Sequence, residues 1–374
     1  MHVTTSGESH GKGLFAILEG IPAGLKLNLE AINAALARRQ SGYGRGARQK
    51  LERDKVELLS GVRNGETLGS PITVAVWNLD YANWEECMAP EGCDISLRRL
   101  VNVRPGHADL AGMTKYGHTD ARNVLERASA RETAARVAVG EICRQLLAEL
   151  GVQVSGYVVS VGSVTDAAQY TFDQLVKREP ELGMMDHSLA ELAKGEIEAC
   201  RKAGDTLGGV CEIRVKELKS GFGSCMTYAE KLDARLAVAM MSVQAIKGVE
   251  IGLGFAAAAK RGSEVHDEIV FDGCSRRTTN RAGGIEGGMS NGEELVLRAA
   301  MKPIPTLMRG LNTVNTETKE AAIAAAERSD VCAILACETV LESVVCTELA
   351  KAVLERLGGD TLVQVKTRYA ELPQ

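Results

Sequence analysis

The chain has 374 residues, 45% of them hydrophobic and 25% charged, and at about 100 to 200 residues per domain that leaves room for a large core in one to three domains. A net charge of −5 and a pI near 5.8 exclude a molecule built as a whole to coat nucleic acid or an anionic membrane surface. No apolar run reaches the roughly 18 to 20 residues of a membrane-spanning helix, and the start, Met1-His2-Val3-Thr4-Thr5-Ser6-Gly7, lacks the apolar core of a secretion signal.

Read in chain order, helices and strands mix without alternating. Positions 28–39 carry Leu29, Ile32 and Leu36 on one face, which predicts a helix running into a glycine-rich loop. Segments 55–60 and 71–77 read as strands. Positions 127–150 read as one long helix. Ser129-Ala130-Arg131-Glu132 spells a capping box, Ala135, Val139, Ile142, Leu146 and Leu150 form one stripe, and Gly151 stands where a helix ends. Strands are predicted over 152–164 and 210–216, the second alternating Cys211, Ile213 and Val215 with Glu212, Arg214 and Lys216. A helix follows over 228–243, with Leu232, Leu236, Met240 and Val243, then a strand over 294–301. The last long helix spans 330–357, in one or two pieces, with Asp330 a good N-cap. Such an order argues for α+β layers and against a doubly wound parallel sheet. With no repeat, low-complexity tract or linker, the reading is a single domain over 1–374, least typical at 161–205. Ten cysteines without a C-x-x-C pair fit a reduced cytosolic protein with structural thiols and no metal site.

Arginine is concentrated. Arg38, Arg39, Arg45, Arg48 and Lys50 occur with no acid between positions 38 and 50, and seven more arginines lie between 98 and 136 with His107 and His118. In a net acidic chain this points to a small anion, because guanidinium forks grip phosphate and carboxylate in two places at once. A solvated basic loop fits the same residues. The Gly42-x-Gly44-x-Gly46 spacing follows a helix, not a strand, so it lacks the dinucleotide-loop context. Stacking aromatics for RNA are nearly absent there.

Two histidines stand in glycine-rich turns. In Gly7-Glu8-Ser9-His10-Gly11 the backbone can approach a ligand, and the imidazole can move a proton near neutral pH. A tight turn with a surface histidine fits equally. In Arg104-Pro105-Gly106-His107-Ala108-Asp109, His107 is either a general acid or a group tied to the turn through Asp109. Arg127, Ser129 and Arg131 at a helix start could hold a phosphate with the free N–H groups. Five glycines between 283 and 292 expose backbone N–H groups. Lys302-Pro303-Ile304-Pro305-Thr306 sets a cation and a hydroxyl on a stiff turn, and Arg328-Ser329-Asp330 comes last.

Together and in this order, GESHG, R-R-x(5)-R, RPGHAD, RASARET, QAIKGVE, GGIEGGMSNG, KPIPT and RSD resemble chorismate synthase, from about Thr4 to beyond Cys332. The resemblance implies a single α+β domain layered as a β-α-β sandwich, a cytoplasmic homotetramer, and no metal, nucleic-acid or membrane partner. It implies the last common step of the shikimate pathway in aromatic amino acid biosynthesis, 1,4-anti elimination of phosphate from 5-enolpyruvylshikimate 3-phosphate. Reduced FMN is required although substrate and product differ by no net redox change. Carried over by position, His10 protonates the departing phosphate, His107 supplies a proton toward the reduced flavin, and Asp330 acts with flavin N5 in removing the C6 hydrogen. Ser9, Arg39, Arg45, Arg48, Arg104, Ser129, Arg131 and Arg328 clamp the phosphate and carboxylates. Arg127, Ala128, Ser129, Gln244, Ala245, Gly287, Lys302, Pro303, Ile304, Pro305, Thr306 and Arg328 contact FMN. Buried anions favour charged imidazolium at both histidines. Ala128 and Ser329 depart from the family's frequent Ser and His. The rival enzyme is an NADPH-dependent flavin reductase, with NADPH as reductant and Arg39 and Arg45 on its phosphate; the non-catalytic rival is an anion- or RNA-binding protein.

Overall fold

A computed structural model of the chain describes residues 1–46, 53–325 and 329–373. Alternating apolar positions build the first sheet from β1 (His2–Ser6), β2 (Gly13–Glu19), β3 (Val56–Leu58) and β4 (Ile72–Trp77), antiparallel in the order β1-β2-β4-β3. Leu14, Ala16 and Leu18 of β2 point inward while Ile17 faces out. The second sheet holds β5 (Gln153–Val161), β6 (Val164–Thr165), β7 (Gly209–Lys216), β8 (Ile246–Ile251) and β9 (Leu295–Met301), antiparallel in the order β8-β9-β7-β5-β6.

The helices are α1 (Leu29–Gln40), α2 (Asp109–Tyr116), α3 (Arg122–Ala128), α4 (Thr133–Ala148), α5 (His187–Lys202), α6 (Leu232–Met241), α7 (Ile334–Leu357) and α8 (Leu362–Glu371). Between the sheets lie α1, α4 and α7, with α4 against β2 and β4, and α7 against β5 and β7. The result is the expected α+β, β-α-β layering. Nineteen of the 24 residues of α7 are buried, the mark of a helix apolar nearly all round. Where α4 crosses it, Gly140 lets the backbones meet: a Cβ there would come 2.4 Å from that of Ser343. Two carboxylates also lie inside α7. Glu342 receives Arg38 at 2.9 Å and Arg144 at 2.7 Å, and Glu338 pairs with Arg38.

Several expectations change. The helix over 127–150 is broken at Ser129, which takes extended φ −62, ψ 140 before a short 3-10 turn, Ala130–Glu132. Ser129 accepts from Arg131 N, but the Glu132 carboxylate is drawn to Thr5 Oγ1 at 3.0 Å and Gln244 Nε2 at 3.3 Å, so no capping box forms. Asp330 is not an N-cap. The last helix starts at Ile334 as one piece, and the Asp330 carboxylate accepts from Gly46 N at 2.6 Å. The helix over 228–243 shortens to α6, behind a 3-10 turn at Tyr228–Glu230. The strand over 152–164 breaks at Gly162, with φ 55. On β7 the polar face is dry: Glu212 is fully buried between Arg214 and Arg298, each at 2.6 Å. The 161–205 stretch contributes α5, whose Ala190, Ala193 and Ile197 join the main core.

Candidate active site

The turn after β1 starts the site. Gly7 has φ 103, and a Cβ there would lie 2.2 Å from the Gly13 carbonyl oxygen, so only glycine permits this approach. The turn lays Ser9 and His10 on α3. Ser9 N donates to the Glu126 carbonyl at 2.9 Å and His10 N to Glu126 Oε2 at 2.8 Å. His10 Nδ1 meets Glu126 Oε1 at 2.9 Å, and Trp84 stacks on the imidazole with centroids 3.7 Å apart. Burial pushes the Glu126 carboxyl up. The hydrogen bonds and charge of His10, joined by Arg122, outweigh that and bring it below its ordinary value. A carboxylate only accepts, so Nδ1 carries the hydrogen.

The Pro-Gly turn builds a second such unit. Asp109, fully buried at the start of α2, accepts from Arg104 Nε at 2.9 Å, Arg104 N at 3.1 Å and His107 Nδ1. Here too burial pushes the carboxyl up, but His107 and Arg104 hold it well below the usual range. Arg104 reaches on to Thr306 Oγ1 at 3.2 Å, and Lys302 Nζ to the Gly106 carbonyl.

The third unit centres on Asp54. It takes Arg39 Nη2 at 2.7 Å from the end of α1 and Arg131 Nη1 at 2.6 Å from the turn after Ser129. Asn78 Oδ1 accepts from the same Arg131 at 2.8 Å. Burial again opposes the Asp54 charge, and the two guanidinium groups restore it. Across from them Arg45 Nη1 pairs with Asp330 Oδ2 at 2.7 Å.

His10, His107, Arg39, Arg45, Arg104 and Arg131 line a cavity of about 460 Å³, while their partners Glu126, Asp109 and Asp54 lie outside the lining, which continues through Val243, Gln244, Ala245, Met301, Ile304 and Pro305 to Ala333, Ala336, Cys337 and Val340 at the start of α7. Ala245 takes a left-handed φ of 69, a strained setting for a residue with a Cβ that is tolerated where the surroundings dictate it. Three buried polar atoms of the lining have no partner among the described residues: Arg39 Nε, Arg45 Nε and Gln244 Oε1. Two orphan donors on buried cations suit an anion. The orphan acceptor, set in a largely apolar wall with Lys302, suits a planar heteroaromatic ring that donates a hydrogen bond.

Of the residues singled out from sequence, the cavity gathers Ser9, His10, Arg39, Arg45, Arg104, His107, Ala128, Ser129, Arg131, Gln244, Ala245, Lys302, Ile304, Pro305, Thr306 and Asp330. Arg127 lies beside it, donating to the Thr5 and Gly7 carbonyls, and Pro303 is outside the lining. Gly287 sits apart, in the turn between Ile285–Glu286 and Met289–Ser290. Arg48 and Arg328 lie outside the described residues. Sequence reasoning missed Glu126, Asp54, Asn78 and Trp84. Their partners lie between 53 and 116 positions away along the chain for the hydrogen-bonded three reaching Arg131 and His10, so no local pattern marked them.

The family model for chorismate synthase matches residues 1–354. The chorismate synthase of Geobacter sulfurreducens is 53% identical over 98% of this chain and 96% of its own length. That of Desulforamulus reducens is 52% identical over 99% and 97%. A crystal structure of a chorismate synthase superposes with a TM-score of 0.80 at 40% identity, covering 99% of this chain and 96% of that one. A match this long in sequence and in fold, spanning every segment that feeds the cavity, makes the chain a member of the chorismate synthase family of lyases.

Proposed function

We propose that the cavity performs the 1,4-anti elimination of phosphate from 5-enolpyruvylshikimate 3-phosphate. A hydrogen leaves C6, the C3–O bond breaks with its electron pair going to phosphate, and the conjugated diene of chorismate remains. The carrying observation is the pair of buried Nε donors on Arg39 and Arg45 that meet no acceptor among the described residues. Such donors are costly to leave unmet, and the phosphate and two carboxylates of this substrate would meet them. Arg39, Arg45, Arg104, Arg131 and Lys302 supply five cations against the carboxylates of Asp54, Asp109 and Asp330, an excess that suits a polyanion.

Reduced FMN, when bound, supplies the electron-rich ring that eases loss of phosphate and of the C6 hydrogen. Gln244, Ala245, Lys302 and Thr306 would hold it against the apolar wall. His10, its Nδ1–H committed to Glu126, gives the departing phosphate a proton from Nε2. His107 is oriented in the same way by Asp109 and carries its mobile proton on Nε2. Asp330, aimed by Arg45 and the Gly46 N–H, assists removal of the C6 hydrogen.

The test is anaerobic turnover of 5-enolpyruvylshikimate 3-phosphate with dithionite-reduced FMN, read as chorismate absorbance and phosphate release. Turnover that vanishes with oxidised FMN is expected; bound substrate without turnover overturns the reading. Replacing dithionite by NADPH in the same cuvette tests for flavin reductase activity.

A further inference from the structure

His10 is gripped by more than Glu126. Over the indole that stacks on it stands the Arg98 guanidinium, 3.8 Å from the ring centroid, with that of Arg122 at 5.3 Å. An imidazole at 3.7 Å and a guanidinium at 3.8 Å from one ring cannot share a face, so Trp84 is a slab between His10 and a permanent cation. Arg122 donates to Glu126 at 3.2 Å and to the Arg98 carbonyl at 2.9 Å, which ties the two jaws together.

Trp84 arrives on a strap, residues 79–99, in which no residue is fully buried. The strap leaves the body at Asn78, whose Nδ2 donates to the Gly11 carbonyl at 2.7 Å and to that of Glu8 at 3.2 Å, on both sides of His10. Trp84 Nε1 donates to Asp80 Oδ2 at 2.9 Å, which sets the rotation of the indole. Arg98 takes a left-handed φ of 53, and its Nη2 donates to the Asn83 carbonyl. A segment without a buried side chain gains little from hydrophobic burial. At this turn it is held by the indole on His10, with the Tyr81 ring under Lys12 beside it.

We propose that Trp84 is a positioning residue for His10: backed by Arg98, it holds the imidazole plane in line with Glu126 and covers it, so that seating of the strap and correct placing of the His10 proton are one event. This rests on the reading of His10 as proton donor. His10 itself meets Glu126 from α3 and Trp84 from the strap; the charged groups behind these two are Arg122, bonded to Glu126, and Arg98 and Asp80, against the far face and the Nε1 of the indole.

The chain has two tryptophans, and Trp77 lies on the outer end of β4, bonded to Glu57. W77F therefore isolates Trp84 emission, which a contacting imidazolium quenches more than a neutral imidazole. In W77F the emission is expected to fall with decreasing pH. In W77F/H10N that transition disappears, and in W77F/E126Q it changes, because the carboxylate that meets Nδ1 at 2.9 Å is gone. In turnover, W84A lowers kcat by about 10- to 100-fold with KM for the substrate little changed, and W84F recovers most of the loss. Emission that does not titrate, or a titration indifferent to H10N and E126Q, overturns the proposal. So does W84A with wild-type kcat. Should W84A fail to fold, the emission of W77F still decides, since it keeps the stack intact. Wild-type protein without turnover fails the functional reading instead and leaves the emission arm standing.

Discussion

Both imidazoles of the cavity lean on carboxylates whose charge is opposed by burial. Glu126 and Asp109 stay ionised because histidine and arginine partners outweigh the loss of water, and an ionised carboxylate fixes which ring nitrogen bears hydrogen. His10→Ala and His107→Ala are each expected to lower kcat by about 10² to 10⁴-fold, with one limb of the pH–rate profile lost; a profile unchanged by either substitution removes that histidine from proton transfer. Asp54 has the same arrangement with two guanidinium partners. Its folded value is depressed, so the stability it contributes is present above the ordinary carboxylate value and lost as pH falls through the folded one. Asp54→Asn should then cost about 3 kcal/mol at pH 7, as breaking a buried pair does, and raise KM as Arg39 and Arg131 lose their anchor. Chemical denaturation at pH 7 and pH 3 checks this: the gap from wild type should narrow in acid.

At the scale of elements, α4 against α7 sets the tolerance of the middle layer. Helix propensity alone makes Gly140→Ala stabilising by up to about 1 kcal/mol. The 2.4 Å approach to Ser343 reverses that sign, and overpacking is expected to cost about 1 to 3 kcal/mol, seen as a lower Tm by calorimetry. Elements whose pattern is local were legible in the sequence. The stripe Leu29, Ile32, Leu36 became α1 within one residue, and 71–77 became β4. The break at Ser129 was not, because Thr5 and Gln244, 127 and 112 positions away, claim the Glu132 carboxylate that a capping box needs. The dry polar face of β7 was hidden for the same reason: Glu212 is satisfied by Arg298, on a strand 86 positions on.

At the scale of the whole molecule, the cluster inside the sandwich adds its own response to pH. Burial, then the charge of Glu342, pushes the Glu338 carboxyl up to about 7. At this side chain the folded state therefore binds more protons than the unfolded one between about pH 4.5 and 7, and the stability that Glu338 contributes falls across that window before levelling. Glu338→Gln is expected to gain on wild type by about 1 to 3 kcal/mol on going from pH 5 to pH 8, measured as the difference in unfolding free energy; a constant gap refutes it. At the surface, Phe255, Ile269 and Phe271 are 80%, 63% and 77% exposed in one chain. We propose that copies of this chain cover them in a homotetramer, so that light scattering should give four times the 39.9 kDa chain mass, reduced by Phe255→Asp with Phe271→Asp. No helix among the described residues is long and apolar enough to cross a membrane. As for the site, its arginines and histidines were visible as clusters of one sign, whereas the acids that aim them sit alone in distant segments and come together only in the fold.

The middle layer also has a place in time. A ribosome delivers residues 1–333 before the first turn of α7, yet that helix is the slab on which α1, α4, β5 and β7 close. Until it emerges, the first sheet has α4 to settle against, but β5 and β7 of the second sheet lack the helix that covers them, and that apolar face stays open late in synthesis. Chaperone engagement during synthesis, and the fate of messages truncated before Ile334, therefore depend on when α7 leaves the exit tunnel more than on any feature of the catalytic cavity.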